Sequence, residues 1–366
     1  MFSRFFLHRN AILKVVFSWM ALTATCLQAA GPAKFMMLTH VGGRSIEGQP
    51  IAWDDRTMFL FGRDGQLHQF ANSAAKKSRK TESAFRGYSS GEMSELLRKE
   101  FGKEFKITTT NHFVVVHPHG EWHAWADRLE SLFRSFTHSM RVRGFPVRAP
   151  KVPLVAVVFR TQSEYYRYAA ANGDPLKPGT LGHYDPVTNR IFLFNAGHAT
   201  GEDWSVSAET IIHEATHQTA HNVGVHRRFA DQPRWLVEGL AMMFEARGVW
   251  DARAIYTQSD RINRDRLNAF RYYQPQLSSG GIGALVQSDQ QFRTNTGFAY
   301  AEAWALSFYL YETRPQEYSR YLGKVAARPM FQEYPARQRL ADFMGIFGSD
   351  LQLLDAQLER FVAELK

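Results

Sequence analysis

Short apolar segments separated by turn residues follow one another between residues 36 and 70. The apolar positions fall at 36–41, 51–53, 58–61 and 67–70, and Gly, Asp and Arg residues fill the gaps between them. Apolar segments of this length bounded by Gly and Asp are typical of strands, and the Asp-Gly pair before the last segment indicates a hairpin. The pattern predicts a small β-meander, and an SH3-like form is one candidate for it.

A polar segment without periodicity follows at residues 71–84. Its small and charged residues, which include the basic run Lys76–Lys80, predict a solvated linker. A helical pattern then extends from residue 92 to about residue 104. We therefore expect a small β module at residues 31–75 and a linker with a helix at residues 76–105.

Strand and helix patterns alternate in the middle of the chain. The apolar run 154–159 is short and rich in β-branched residues, which predicts a buried strand. The neighbouring patterns predict a strand at 112–117, an amphipathic helix at about 121–141, a short helix around residues 165–168, and a hairpin of residues 181–184 and 190–195 joined by the turn 185–189. We expect the strand at 190–195 to offer an edge on which an extended peptide pairs.

Helical patterns dominate the rest of the chain. They predict helices at about 205–222, 233–248, 300–311 and 351–364. Ser205 or Ser207 is the expected N-cap of the first of these helices, and Ser349 with Gln352 has capping-box spacing before the last. Because strands come first and helices after, the chain is expected to have an α+β fold.

The first 30 residues differ from the remainder of the chain. Arg4, Arg9 and Lys14 precede an apolar run at 15–27, and small residues follow at 29–30. This layout is typical of a secretory signal peptide at residues 1–30, and the run is shorter than the ~20 residues of a membrane span. We expect an exported protein, periplasmic or extracellular, without a stable membrane span after signal cleavage. An uncleaved anchor is the alternative.

Composition and charge are consistent with an exported globular protein. With 366 residues, 45% hydrophobic and 22% charged, the chain is long enough for one large domain and a small one. Cys26 is the only cysteine and lies in the predicted signal, so no disulfide is expected, although lipidation of Cys26 is an alternative. Without the signal, 41 basic and 35 acidic residues remain, a net charge of +6. That charge favours solubility or weak attraction to anionic envelope material, and we expect no nucleic-acid partner.

Residues 213–217 are His-Glu-Ala-Thr-His, which is the most specific chemical signal in the chain. On a helix, His213 and His217 project from the same face one turn apart, where two neutral imidazoles can bind one zinc ion. Glu214 is adjacent and can reach a water on that ion, so we expect it to be a general base and not a ligand. The structural alternative is a helix with surface histidines and no metal.

A catalytic zinc ion needs a third protein ligand, and Glu238 is the best candidate. It falls in a second helical pattern that begins near Pro233 and ends near Gly248. His221 lies a further turn along the first helix, too far down the axis to share the ion easily. His226 stays open as an alternative ligand, although it falls in a loop-like stretch.

The string His213-Glu214-x-x-His217, followed by Trp235-Leu236-x-Glu238-Gly239-x-Ala241, resembles the gluzincin metallopeptidases of the peptidase MA-like clan. More narrowly, residues 108–365 resemble a bacterial HExxH family of unknown function. The resemblance implies a zincin-like domain at residues 106–366, with a mixed sheet, the HExxH helix and a C-terminal helical part. It also implies one Zn²⁺ per chain on His213, His217 and Glu238, with Glu214 as general base and the hairpin strand along the cleft.

Two further residues gain expected roles from this resemblance. In aminopeptidase relatives a glutamate recurs seven residues after the ligand glutamate, and Glu245 matches it, so we expect it to contact a ligand histidine. Relatives also use a Tyr or His from a downstream helix to stabilise the oxyanion. Tyr300 is the candidate here, His226 is the second, and a core aromatic is the alternative for Tyr300. The exopeptidase motif of the aminopeptidases is missing, which argues against their specificity.

The expected function is an exported zinc metallopeptidase, and an endopeptidase in particular, acting on peptides or proteins. A degenerate, non-catalytic binding protein at the cell envelope is one alternative. A hydrolase of a non-peptide amide, such as a cell-wall crosslink, is another. Glu214 favours an enzyme, because a pure binding scaffold has no need of that carboxylate. The substrate, the oligomeric state and the role of the β module are open at the level of sequence.

Overall fold

The computed structural model describes residues 32–119, 122–195, 205–250, 257–274 and 281–366. The predicted signal peptide at residues 1–30, including Cys26, lies outside these ranges. Within them, no helix combines the length and the apolar character that crossing a lipid bilayer demands. The described part of the chain is a mixed α+β structure with two sheets and many helices, in agreement with the predicted fold class.

The first sheet contains, among the described residues, five antiparallel strands in the order β4-β3-β2-β1-β5. The predicted meander is confirmed, because the first four strands pair in sequence order. Its SH3-like form stays a prediction. The strands are β1 Met37–Val41, β2 Arg44–Trp53, β3 Thr57–Gly62, β4 Leu67–Ala71 and β5 Lys76–Lys80.

Strand β5 corrects the prediction of a linker at residues 71–84. Lys76–Lys80 is a fully exposed strand that pairs with β1, with Met37 opposite Lys80 and His40 opposite Lys76. Its side chains are polar on both faces, so no alternation marks it as a strand. Its extended conformation comes from backbone pairing with β1, and lysines at a sheet edge also discourage pairing with other chains. The first sheet therefore extends beyond the predicted module boundary at residue 75.

The second sheet is mixed and has the order β6-β7-β8-β10-β9 in the described part of the chain. Strands β7, β8 and β10 run parallel, whereas β6 and β9 are antiparallel to their neighbours. The parallel strands are almost continuously apolar, as expected for strands covered on both faces. The bounds are β6 Phe105–Thr109, β7 Phe113–Pro118, β8 Leu154–Phe159, β9 Gly182–Asp185 and β10 Arg190–Phe194.

The position of β10 makes one prediction wrong. Residues 190–195 were expected to offer an edge for peptide pairing, but β10 is hydrogen-bonded on both sides, to β8 and to β9. Phe192 packs on one face of the sheet and Ile191 packs on the other, so core packing explains their alternation. Among the described residues, the edge on this side of the sheet is the shorter hairpin strand β9.

Helices cover both faces of the second sheet and continue as a helical C-terminal part. Ser89 and Glu92 form a capping box at α1, and Thr161 caps α3 through the Glu164 N–H. The bounds are α1 Ser90–Phe101, α2 Trp122–Val142, α3 Gln162–Ala171, α4 Ser205–Val223, α5 Arg234–Phe244, α6 Arg247–Trp250, α7 Arg264–Tyr273, α8 Gly281–Gln287, α9 Gln291–Thr294, α10 Thr296–Thr313, α11 Pro315–Ala326, α12 Ala336–Phe347 and α13 Leu351–Glu364.

Two predicted helix ends need correction. Asp350, and not Ser349, caps α13 by accepting the Leu353 N–H at 2.9 Å, because the carboxylate sits at the position that reaches the third helical N–H. Helix α5 ends at Phe244, before the predicted stop at Gly248. Gly248 is instead needed for close packing, since a Cβ there would lie 2.2 Å from the Asp260 carbonyl oxygen.

Helices α5 and α10 form the centre of the C-terminal part. Every residue from Trp235 to Phe244 is buried, and so is every residue from Phe298 to Tyr311. Gly239 lets the two helices approach closely, because a Cβ at this position would lie 2.1 Å from Ser307 Oγ and 2.4 Å from the Ala303 carbonyl oxygen. Helices that are apolar all round are stable only when buried in this way.

The first sheet packs against the connection between α4 and α5. The Phe59 ring stacks on Phe331 at 4.4 Å between centroids, and Phe331 stacks on Phe229 at 5.6 Å. The buried Arg228 guanidinium donates to the Gly65 carbonyl oxygen at 3.0 Å. The β module is therefore joined to the loop that links the two helices carrying the predicted metal ligands.

Glu302 on α10 is a buried carboxyl whose Oε2 atom has no hydrogen-bond partner in the described part of the protein. Burial, and then the charge of Asp355, raises the pKa of Glu302 to about 8. The folded state therefore binds this proton more tightly than the unfolded chain, whose Glu pKa is ~4.3. The resulting stabilisation is complete below pH ~4 and is lost as the pH rises through about 8.

We expect Glu302→Gln to remove the decrease in the free energy of unfolding that ionisation of Glu302 causes as the pH rises. The variant should match the wild type near pH 4 and become progressively more stable than it up to about pH 8. The gain should be on the order of 1.4 kcal/mol per unit of pKa difference. Urea unfolding across this pH range measures the effect, and Glu359→Gln on the exposed surface of α13 is the control. A wild type and variant with parallel pH profiles would contradict the prediction.

Candidate metal centre

Helix α4 presents its predicted chemical residues at the edge of the second sheet. It packs against β9, β10, α2 and α5. Ile211, Ile212, Ala215 and Thr219 on this helix are all buried. Ser205 and Ser207 lie in the described backbone of α4, but their side chains, the predicted caps, are outside what the structure describes. This packing fixes the rotation of the helix, and with it the direction in which the two histidines project.

The structure brings the three predicted ligands together. His213 Nε2 lies 3.0 Å from His217 Nε2 and 3.3 Å from Glu238 Oε2, and His217 Nε2 lies 3.8 Å from the same oxygen. Tetrahedral zinc with bonds of about 2.0–2.2 Å places its ligand atoms roughly 3.3–3.6 Å apart. Among the described residues, this is the group of His and acidic side chains with donor atoms close enough to share a metal ion.

Helix α5, which packs against α4, supplies Glu238. The helix begins after Pro233, as predicted, and the Arg234 N–H is accepted by Asp289 Oδ1 at 3.0 Å. Glu238 follows one turn later, and its side chain is buried. The third candidate ligand thus depends on a contact between α4 and α5 that forms only in the folded protein.

Burial and mutual contacts shift the titration of all three groups. Burial lowers the pKa of His213, but its contacts with Glu238 and Glu245 raise it to about 9. Burial, reinforced by the charge of His213, lowers the pKa of His217 to about 3. Burial raises the pKa of Glu238, yet its histidine neighbours hold it well below its usual range. The opposite shifts of the two histidine pKa values reflect the strong mutual interactions of these buried groups.

Glu245 contacts His213, as predicted. Its Oε1 atom accepts from His213 Nδ1 at 2.7 Å, and its Oε2 atom accepts from the Asn263 amide at 2.7 Å. The same amide also donates to the Met242 carbonyl oxygen, which fixes its position. A carboxylate on Nδ1 holds the imidazole tautomer in which Nε2 has the lone pair that a metal needs.

We expect Glu245→Gln to weaken zinc binding by about 10- to 100-fold, because it removes a charged partner of a ligand imidazole without changing the ligand. Competition with a chromophoric chelator measures the zinc dissociation constant. Glu333→Gln is a matched control on an exposed side chain. Equal zinc affinities for Glu245→Gln and the wild type would contradict this role.

Glu214 lies at the free side of β9. Its Oε2 atom accepts the backbone N–H of Tyr184 at 2.9 Å, and the side chain is buried. Tyr184 pairs opposite Ile191 of β10, but its N–H faces away from that strand toward α4. A backbone donor from the hairpin thus orients the predicted general base.

Tyr300 is connected to the candidate ligand Glu238 by Arg234, which contacts both residues. Arg234 Nη2 donates to the Tyr300 hydroxyl at 2.8 Å, and Arg234 Nε lies 3.7 Å from Glu238 Oε1. His226, the second candidate, is buried beside His221, with 5.5 Å between ring centroids. Burial lowers the pKa of His226 to about 4, so it is neutral at pH 7. Neither His221 nor His226 joins the group of potential metal ligands in the described part of the chain.

Several contributors to this centre were not predicted from sequence. Arg234, Arg266 and Asn263 contact the candidate ligands or their partners, and the Tyr184 backbone contacts Glu214. Arg234 had a usable signal, since it precedes Glu238 by one helical turn and so shares its helix face. The others come from distant parts of the chain, and no local pattern marks them.

Comparison with known proteins finds one family model that matches the segment containing this centre. Residues 207–332 match the model of a family described as protein of unknown function (DUF1570). The matched segment contains His213, Glu214, His217, Glu238 and Tyr300. A search of curated proteins finds no match for the chain. The family match therefore covers the candidate metal centre and assigns it no activity.

Proposed function

We propose that the protein is a zinc-dependent metallopeptidase of the gluzincin type, with a zincin-like domain at residues 106–366. The observation that carries the proposal is the convergence of His213, His217 and Glu238, whose donor atoms all lie within 4.8 Å of one another. Glu214, the neighbour of the first histidine, is buried at the same place and anchored by Tyr184. These residue types match the ligands and the base that a hydrolytic zinc site requires, which supports the proposal.

The residues present fit a zinc ion by three criteria. Two imidazoles and one carboxylate are the ligand types that catalytic zinc prefers, and three protein ligands leave a position open. The distances of 3.0, 3.3 and 3.8 Å between ligand atoms are close to a tetrahedral edge. Glu245 supplies the carboxylate behind a ligand histidine. A zinc ion in this site would lower the pKa of a coordinated water toward ~7.

In this proposal, side chains and one backbone N–H of the protein carry out the proton transfer and stabilise the oxyanion. Glu214 takes the proton of the attacking water and later passes it to the leaving amine. The Tyr184 N–H holds the Glu214 carboxylate in place for this transfer. Tyr300 donates to the oxyanion of the tetrahedral intermediate, and the guanidinium of Arg234 on its oxygen strengthens the phenol as a donor.

Strand β9 is the element on which we propose that an extended peptide substrate aligns. It is an edge strand among the described residues, and it lies beside Glu214. An extended peptide that pairs with such an edge passes along the base and the ligands, which favours cleavage within a chain. We further propose that residues 1–30 direct export and are removed, so that peptides or proteins outside the cytoplasm are the substrates.

Zinc content and proteolysis together test the proposal. Purified protein should contain one zinc per chain, cleave members of an unbiased peptide library, lose activity with a chelator and regain it with added zinc. Protein without zinc would overturn the metal site. Stoichiometric zinc without cleavage of any peptide would favour the alternatives, a binding protein or a hydrolase of non-peptide amides, over a peptidase.

A further inference from the structure

A pair of arginines surrounds the tyrosine next to the candidate metal centre. The guanidinium of Arg234 lies 5.6 Å from the centroid of the Tyr300 ring, and that of Arg266 lies 5.7 Å from it. Arg234 also lies 4.9 Å from the Phe292 ring centroid. Both arginine side chains are 12% exposed, so their charges are largely withdrawn from water. Charges in such a position need compensation.

The neighbouring carboxylates compensate Arg234 only weakly. Its Nε atom lies 3.7 Å from Glu238 Oε1 and has no hydrogen-bond partner among the described residues. The shorter contact of Glu238, at 3.3 Å, goes to His213. Asp289 is also close, but its Oδ1 atom accepts the backbone N–H of Arg234 and the Arg339 guanidinium, both at 3.0 Å. Among the described residues, the guanidinium of Arg234 therefore has only the 3.7 Å carboxylate contact with Glu238, which it shares with His213.

Arg266 differs from Arg234 in the carboxylate that it faces, although its Nε atom likewise has no hydrogen-bond partner among the described residues. Its Nε atom lies 3.7 Å from Glu245 Oε2, the oxygen that already accepts from Asn263. It thus belongs to the contacts that hold Glu245 behind His213. Arg234 instead stands one turn before Glu238 on the same helix, so it projects from the face of α5 that bears the candidate ligand.

We propose that Arg234, braced by Tyr300, binds a carboxylate of the substrate beside the scissile bond, so that the enzyme prefers acidic peptides. The inference rests on the proposed function. A metal ion bound to Glu238 would neutralise most of the negative charge of that carboxylate. The positive charge of Arg234 would then be uncompensated, which favours binding of an anion beside it. The planar guanidinium suits a carboxylate, which it binds through two parallel hydrogen bonds. The carboxylate comes from an Asp or Glu side chain or from the C-terminus of the peptide.

The experiment compares matched peptides on the zinc-loaded enzyme. One pair differs by Glu or Gln next to the cleaved bond, and a second pair has a free or an amidated C-terminus. We expect kcat/KM to be about 10- to 100-fold higher for the carboxylate member of one pair, the usual effect of a charged hydrogen bond. The pair that shows the preference identifies the source of the carboxylate. No preference in either pair would overturn the inference.

Arg234→Gln should bring this ratio close to one, chiefly through a higher KM for the acidic peptide. Arg234→Lys should retain part of the preference, since it keeps the charge and loses the planar fork. Arg266→Gln, the matched control beside the same ring, should keep the wild-type ratio. Because each ratio compares two peptides on one enzyme, a general loss of activity does not imitate the result. A full preference in Arg234→Gln would contradict the proposal.

A binding measurement separates this inference from the proposed function. Calorimetry on zinc-loaded protein compares the α-amides of N-acetylglutamic acid and N-acetylglutamine, and separately N-acetylalanine with its amide. In at least one pair the carboxylate member should bind at least tenfold more tightly, and Arg234→Gln should abolish the difference. Equal binding within both pairs by the wild type would count against the carboxylate subsite. If the acid is preferred while no peptide is cleaved, the subsite stands and the peptidase proposal fails.

Discussion

Glu214→Gln is expected to lower kcat by about 10²- to 10⁴-fold, the contribution of a positioned general base. The glutamine amide cannot take a proton from the attacking water at neutral pH. Its carbonyl oxygen can still accept the Tyr184 N–H that Glu214 accepts at 2.9 Å. The variant should therefore fold and bind zinc like the wild type. Initial rates on the best library peptide, together with zinc content, measure both expectations.

Glu209→Gln on the same helix is the matched control for Glu214→Gln. The substitution is chemically identical, but Glu209 is exposed. We expect this control to keep full activity, since surface substitutions rarely change a protein by more than ±0.5 kcal/mol. Turnover by Glu214→Gln at the wild-type rate would exclude Glu214 as the base and leave the zinc site without its proposed mechanism.

Tyr300→Phe is expected to lower kcat by about 10²- to 10³-fold, the usual loss when one oxyanion donor is removed. The aromatic ring and its place in the core remain, so stability should change little. The hydroxyl that accepts from Arg234 at 2.8 Å disappears, and with it the donor proposed for the oxyanion. Steady-state kinetics with a check of zinc content test this expectation.

Two comparisons make the Tyr300→Phe result specific. Tyr309→Phe lies on the same helix, and its hydroxyl donates to Gln357 at 3.1 Å, so it should keep normal turnover. His226→Asn tests the second candidate, a buried histidine that lies beside His221. If Tyr300→Phe turns over normally and His226→Asn does not, the role of oxyanion donor belongs to His226. Tyr300 is then a core aromatic.

Local patterns predicted the elements whose conformation their own side chains favour. The apolar run 154–159 is strand β8 with the predicted bounds, and the hairpin around the turn 185–189 forms as expected. Burial of an apolar run and the chemistry of a turn act over a few residues, so periodicity reveals them. Strand β5 was missed because Lys76–Lys80 has no apolar face and becomes a strand only by pairing with β1.

For the candidate metal centre, too, some features could be predicted from local sequence and others depend on tertiary packing. The spacing of His213 and His217, and the helical context of Glu238, are visible in sequence because one helical turn places them on the faces of α4 and α5. That these faces meet at 3.3 and 3.8 Å depends on the packing of α4 on α5. The hydrophobic periodicity of the sequence also could not predict that α5 and α10 approach closely at Gly239.

By itself, the sequence of this protein determines which residues can do chemistry: two imidazoles one turn apart, a carboxylate between them and another on a later helix. The tertiary structure decides what surrounds them. It places the Tyr184 N–H on Glu214, Glu245 behind His213, and Arg234 beside Glu238 with its guanidinium on Tyr300. The physical reason is range, because helical spacing is a property of a few consecutive residues. The partners that orient and charge a site come from distant segments, which meet only when the core is packed.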